Sequence, residues 1–148
     1  MQYSEGTVGR VFFLRFDDGE DFIETARSFV EEQSISHGVI SFLGALHSAG
    51  LVTGPEEAVI PPVPHRETIE GGWECLGTAT IYPGTDGPSL HLHATAGRGR
   101  NAVTGCLRTD CIVYLVVEAV IWEVCGIEGE RIHDPFIGAA LPVLCNRR

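Results

Sequence analysis

The chain has 148 residues, a formal charge of −10, and ten basic residues that are all arginine. That length suits one folded domain with its own core, and 44% hydrophobic with 20% charged residues is ordinary for a globular protein. The acidic balance repels phosphate backbones and anionic lipid surfaces, so neither nucleic acid nor membrane is the expected partner.

Val11-Phe12-Phe13-Leu14-Arg15-Phe16 is rich in aromatic and branched residues and predicts a buried strand. Asp17-Asp18-Gly19 breaks it, and acidic residues open an amphipathic helix over 20–33. Its apolar stripe is Phe22, Ala26, Phe29 and Val30, at i, i+4, i+7 and i+8. Residues 39–46 predict a second strand ending near Gly44, and 47–51 continue into a third. Pro55, Pro61, Pro62 and Pro64 discourage regular pairing, so 54–66 reads as a long surface loop. Such loops in compact domains are usually functional or mobile.

Residues 69–81 predict one or two strands around Trp73, Leu76 and Ile81, with a bulge or turn at Gly71-Gly72. After the turn cluster 83–88 come a strand over 89–96, a turn over 97–101 and a returning strand over 102–107. A long β-branched strand follows over 111–124; it is too short for a membrane span and carries Glu118 and Glu123. The tail 128–144, punctuated by Pro135, Gly138 and Pro142, reads as a cap over the sheet. One helix against a largely antiparallel sheet makes the expected class α+β. The single domain expected over 1–148 has a core at about 8–126 and a C-terminal cap at about 127–148.

Five cysteines, Cys75, Cys106, Cys111, Cys125 and Cys145, stand without C-x-x-C spacing. An odd count and an N-terminus without a charged-then-apolar leader point to a reducing compartment, so the expected location is the cytoplasm.

His91-Leu92-His93, followed thirteen residues later by Cys106, carries the most chemistry. Residues i and i+2 of a strand share a face, so both imidazoles point into one space. A cysteine on the neighbouring strand adds a third soft donor, which is the inventory of a zinc or similar transition-metal site. The alternative is two half-buried histidines beside an inert thiol. Register decides whether Cys106 joins them. A four-residue turn over 98–101 sets His93 opposite Cys106, whereas a one-residue slip sets Leu92 there and turns the thiol away.

Glu118 interrupts an apolar strand, on the face of Tyr114, Val116, Val120 and Trp122. Half-buried, such a carboxylate has a raised pKa and suits a catalytic acid/base or a partner for a metal-bound histidine. An interface ion pair to an arginine is the equal alternative. His47, after the Gly44-Ala45-Leu46 turn, is either a pocket residue or a solvated loop residue. Gly97-Arg98-Gly99-Arg100-Asn101-Ala102 satisfies a dinucleotide-type glycine pattern, but no helix follows it.

Phe13-Leu14-Arg15-Phe16 with Gly19-Glu20-Asp21, then 41–46, then Asp86-Gly87-Pro88-Ser89-Leu90-His91-Leu92-His93 and Thr104-Gly105-Cys106-Leu107, occur in an order that resembles the plants and prokaryotes conserved (PPC) domain. The resemblance covers about 8–126 and places the chain with stand-alone prokaryotic members. It implies an α+β fold related to that of acetolactate decarboxylase, a homotrimer, and a metal site on the H-x-H pair plus a third histidine. His91 and His93 match that pattern, and Cys106 stands where histidine is usual. Cysteine is itself a good zinc ligand, so zinc or another divalent transition metal is the expected cofactor. Plant members add AT-hooks. Arg98-Gly99-Arg100 matches only the hook's core tripeptide, with Asn101 where proline is expected, and sits in a hairpin turn.

The expected function is therefore a metal-binding, trimeric module for a small ligand or partner. The alternative is a zinc-dependent lyase acting on a small keto acid, with Glu118 moving the proton. Arg98, Arg100, Arg108 and His47 are candidate contacts for an anionic ligand. DNA binding by family analogy is the least favoured reading.

Overall fold

Phe12, Leu14 and Phe16 alternate along β1 (Thr7–Asp17) and turn their rings and methyls toward α1 (Phe22–Glu32). The helix begins where Asp21 caps it, its carboxylate accepting from the backbone N–H of Ile23 at 3.0 Å and of Glu24 at 3.1 Å. Phe22, Ile23, Ala26 and Val30 form its buried side. Phe22 lies between Phe16, at 4.9 Å between ring centroids, and Phe42, at 4.7 Å. These residues and the inward side chains of the sheet make up the core. This computed structural model describes residues 1–145; the last three positions of the expected cap, 146–148, lie outside the described residues.

The remaining strands are longer than their sequence signals. The chain continues as β2 (Gly38–Pro55), β3 (Pro64–Gly84), β4 (Gly87–Arg98) and β5 (Asn101–Cys125). The order in the sheet is β1-β5-β2-β3-β4, and the start of β5 also pairs with β4. The sheet thus closes on itself through β5-β2-β3-β4, with β1 added along the far half of β5. Every pairing between its strands is antiparallel. A short hairpin of β6 (Gly129–Asp134) and β7 (Ala139–Leu144) forms a second sheet. It is tied to the first where Arg131 donates to Thr80 Oγ1 at 3.3 Å and His37 Nε2 meets the Gly129 carbonyl at 2.8 Å.

Several expectations change. The two strands expected over 39–51 are one, with local register shifts after Gly44 and Leu46. The strands 102–107 and 111–124 are likewise a single β5. The proline-rich loop shrinks to 56–63, because Pro55 and Pro64 sit at strand ends, where a missing N–H is tolerated. The tail expected as a cap is a two-stranded hairpin. The expected buried β1 has only one covered face: Phe13 is 83% exposed, because it points to the side of β1 away from α1, where nothing among the described residues covers it. Among the described residues no helix is long and apolar enough to cross a membrane.

At the far end of β1, Arg10 clasps Glu123 of β5 with a pair of side-chain bonds, Nε to Oε2 at 2.8 Å and Nη2 to Oε1 at 2.7 Å. The same guanidinium donates to the Gln33 carbonyl at the helix end. These bonds pull the Glu123 carboxyl down from 4.5 to about 2. A depressed folded-state pKa contributes stability that is complete above 4.5 and is lost as pH falls toward 2. Glu123→Gln should therefore lower the urea midpoint at neutral pH, and the gap to wild type should close between pH 4.5 and 2. A gap that stays constant over that window would refute the assignment.

Candidate metal centre

The β4–β5 hairpin turns on Gly99-Arg100, with Arg98 and Asn101 already paired. Gly99 supplies the positive φ (63°) that a two-residue hairpin turn requires. The register is the one that sets His93 opposite Cys106, and the loop is two residues tighter than expected. Thr95 and Thr104, the next pair on that face, share a hydroxyl–hydroxyl bond of 2.9 Å that helps fix the register. Gly105 lets β2 approach: a Cβ there would stand 2.5 Å from the Val52 carbonyl oxygen. Val52 pairs with Cys106, which is how β2 reaches the site.

The donor atoms of His91, His93 and Cys106 all lie within 4.8 Å of one another. The two imidazole rings meet edge to face at 4.9 Å between centroids. Cys106 is buried, His91 half-buried and His93 exposed, so the cluster opens on one side only. Burial, then Arg131, His93 and Arg108, hold the His91 imidazole below its usual pKa, which keeps it neutral and able to ligate. Burial raises the Cys106 thiol, against the pull of Arg108 and Arg131.

The open side faces a cleft of about 720 Å³. Its floor is β4 and β5, and Pro62 of the proline-rich loop, Pro64 at the start of β3, and Gly138 and Ala139 of the C-terminal hairpin supply further lining. The loop and the tail thus help build the site, which the sequence does not display.

Of the expected ligand contacts, Arg108 lines this cleft and the others do not. Arg98 donates to the Glu70 carbonyl at 3.1 Å, and Arg100 is exposed at the hairpin tip. His47 bonds Asp18 at 3.2 Å and packs its ring on Tyr114. Glu118 is exposed, not half-buried, and lines a separate groove with Phe13, Arg15 and Leu43. The expected low-dielectric carboxylate is thus corrected: α1 covers the opposite face, leaving Glu118 on the uncovered one. Arg66, which also lines the cleft, was hidden in the expected loop. Strand pairing brings it there, through Arg66↔Val52 and Val52↔Cys106. Arg131 was hidden in the tail; it spans Thr80 and the Ala140 carbonyl and rests over the Tyr82 ring.

Among curated proteins, none matches the chain. Solved structures do. A metal-containing protein from Archaeoglobus fulgidus superposes with a TM-score of 0.85 at 24% identity, over 97% of this chain and 99% of that one. A plant- and prokaryote-conserved protein from Pyrococcus horikoshii gives 0.80 at 20% identity, over 99% and 100%. A proposed DNA-binding protein from Bacteroides thetaiotaomicron gives 0.77 at 20% identity, over 94% and 97%. At these identities the likeness establishes a shared fold. The family model of the Plants and Prokaryotes Conserved (PCC) domain matches residues 3–125, and the chain belongs to that family.

Proposed function

We propose that this protein is a homotrimeric, metal-dependent binding module, in which His91, His93 and Cys106 hold one divalent transition ion beside a cleft for a small ligand or partner. Zinc suits a mixed nitrogen and thiolate donor set best. The observation that carries the reading is the three donor atoms within 4.8 Å of one another. Tetrahedral zinc needs separations of about 3.5 Å between such donors, so small side-chain rotations complete the set. The metal-containing Archaeoglobus protein of the same fold supports it.

Bound there, the ion would supply Lewis acidity to an oxygen donor entering from the cleft. The chain does the rest. The hairpin register holds His93 against Cys106, burial keeps His91 neutral, and Cys106 gives up its proton on ligation. Elemental analysis of protein purified without a metal-affinity tag should find one transition ion per chain. His91→Ala should lose it, and a metal-free wild type would sink the reading.

The trimer is supported by the uncovered sheet face, where Phe13, Leu43 and Leu76 are 83%, 58% and 65% exposed. Large apolar side chains exposed together on that face call for a partner, and a further copy supplies one. Phe13→Asp should reduce the mass measured by light scattering from three chains to one. A wild type that is already monomeric would overturn this part alone. Duplex DNA is not the proposed partner: the net charge is −10, and Arg98 is engaged with Glu70 at the hairpin end.

A further inference from the structure

We propose that the cleft is a binding site for a small organic oxyanion, gripped by Arg66 and Arg108 while its other end faces His91, His93 and Cys106. The inference deepens the metal reading and rests on it only for that second contact. Three observations carry it.

The first is charge. The protein has a formal charge of −10, yet among the described residues Arg66 and Arg108 are the only Asp, Glu, Lys or Arg side chains lining the cleft. A concave surface lined by one sign of charge focuses field and concentrates counter-charged ligands.

The second is availability. Among the described residues, neither guanidinium makes an ion pair or a side-chain hydrogen bond, unlike Arg10, Arg15, Arg27, Arg98 and Arg131. Arginine presents a planar fork of donors that matches carboxylate and phosphate oxygens.

The third is placement. Arg66, Val52, Cys106 and His93 are consecutive partners across β3, β2, β5 and β4, so their side chains share one face. Arg108 stands two residues beyond Cys106 on that same face. Strand spacing puts the backbone of Arg66 roughly 10 Å from Cys106 and that of Arg108 roughly 7 Å from it. That span fits a short molecule of a few carbons carrying an oxyanion at one end, with an oxygen donor at the other.

Calorimetric titration of the full chain, zinc-loaded and chelator-treated, tests this with malonate, glutarate and inorganic phosphate, and with neutral glutaramide as control. The expected result is saturable binding of at least one anion and none of the diamide. Arg66→Gln and Arg108→Gln should each weaken that binding at least tenfold while leaving metal content unchanged. Tighter phosphate binding assigns a phosphoryl group to the natural ligand, and tighter dicarboxylate binding assigns a carboxylate. Failure of all three anions to saturate, or binding indifferent to both substitutions, overturns the proposal. Arginine-dependent binding to a chain that takes up no zinc when zinc is supplied would uphold it while refuting the metal reading. Stoichiometric metal with no anion binding would do the reverse.

Discussion

Removing the metal with a chelator should lower the unfolding temperature of the wild-type protein by roughly 8–16 °C, and Cys106→Ala should abolish that difference. A ligand that binds only the folded state at about a thousand times its dissociation constant stabilises it by about 4 kcal/mol. In a chain of this size each kcal/mol moves the midpoint by about 2–4 °C. Cys106 is the discriminating position because the other two donors sit on one strand and would remain a weak bidentate pair without it. Loss of an outer partner of a metal ligand already costs about 10–100-fold in affinity, so loss of the only thiolate should exceed about 100-fold. Cys106→His supplies the histidine that the family resemblance implies at this position, and it should recover most of the stabilisation. In chelator-treated protein, Cys106→Ala removes only one buried sulfur, a change of about 1 kcal/mol. A wild type and a Cys106→Ala variant that respond equally to chelator would rule out ligation by this thiol. Ligation releases the thiol proton, and burial raises the Cys106 pKa. Apparent affinity should therefore climb with pH, about tenfold per unit below that pKa.

The parts of the site that could be read from sequence are those that one hairpin creates. His93 and Cys106 are thirteen residues apart, and a glycine-containing turn with alternating side chains determines which face each takes. Arg66 is a different matter. It reaches the cleft only because the end of β2 pairs with the start of β3 on one side and of β5 on the other. Neither pairing leaves a local trace, and the prolines at 55 and 64 argue against both. Phe13 and Glu118 illustrate a second limit. Alternation in a strand divides residues between two faces, but it does not say which face a helix will cover. The stripe on α1 could be read from its spacing; that it packs against Phe16 and Phe42, and so leaves Phe13 and Glu118 outside, depends on the chain's path.

That path makes Phe22 the most consequential core residue, and Phe22→Ala should destabilise the protein by about 3–5 kcal/mol. The ring is 0% exposed and contacts Phe16 at 87° and Phe42 at 53°, so its removal leaves a cavity walled by two rigid aromatics. The single helix has no second layer behind it to collapse into that space. Against a net stability of about 5–15 kcal/mol, such a loss is a large share of the total. Phe22→Leu retains part of the volume and should cost markedly less. The metal centre should be indifferent to both. Phe42, the partner of Phe22, aligns with Gly77 and Ala94, the inward-facing row, whereas His93 belongs to the adjacent outward-facing one. Urea unfolding with saturating zinc and with chelator separates the two effects. The Phe22→Ala midpoint should fall in both conditions by the same amount, leaving the metal-dependent increment intact. An increment that vanished in folded Phe22→Ala would mean that the two faces of the sheet are coupled through the backbone of β4 and are not independent.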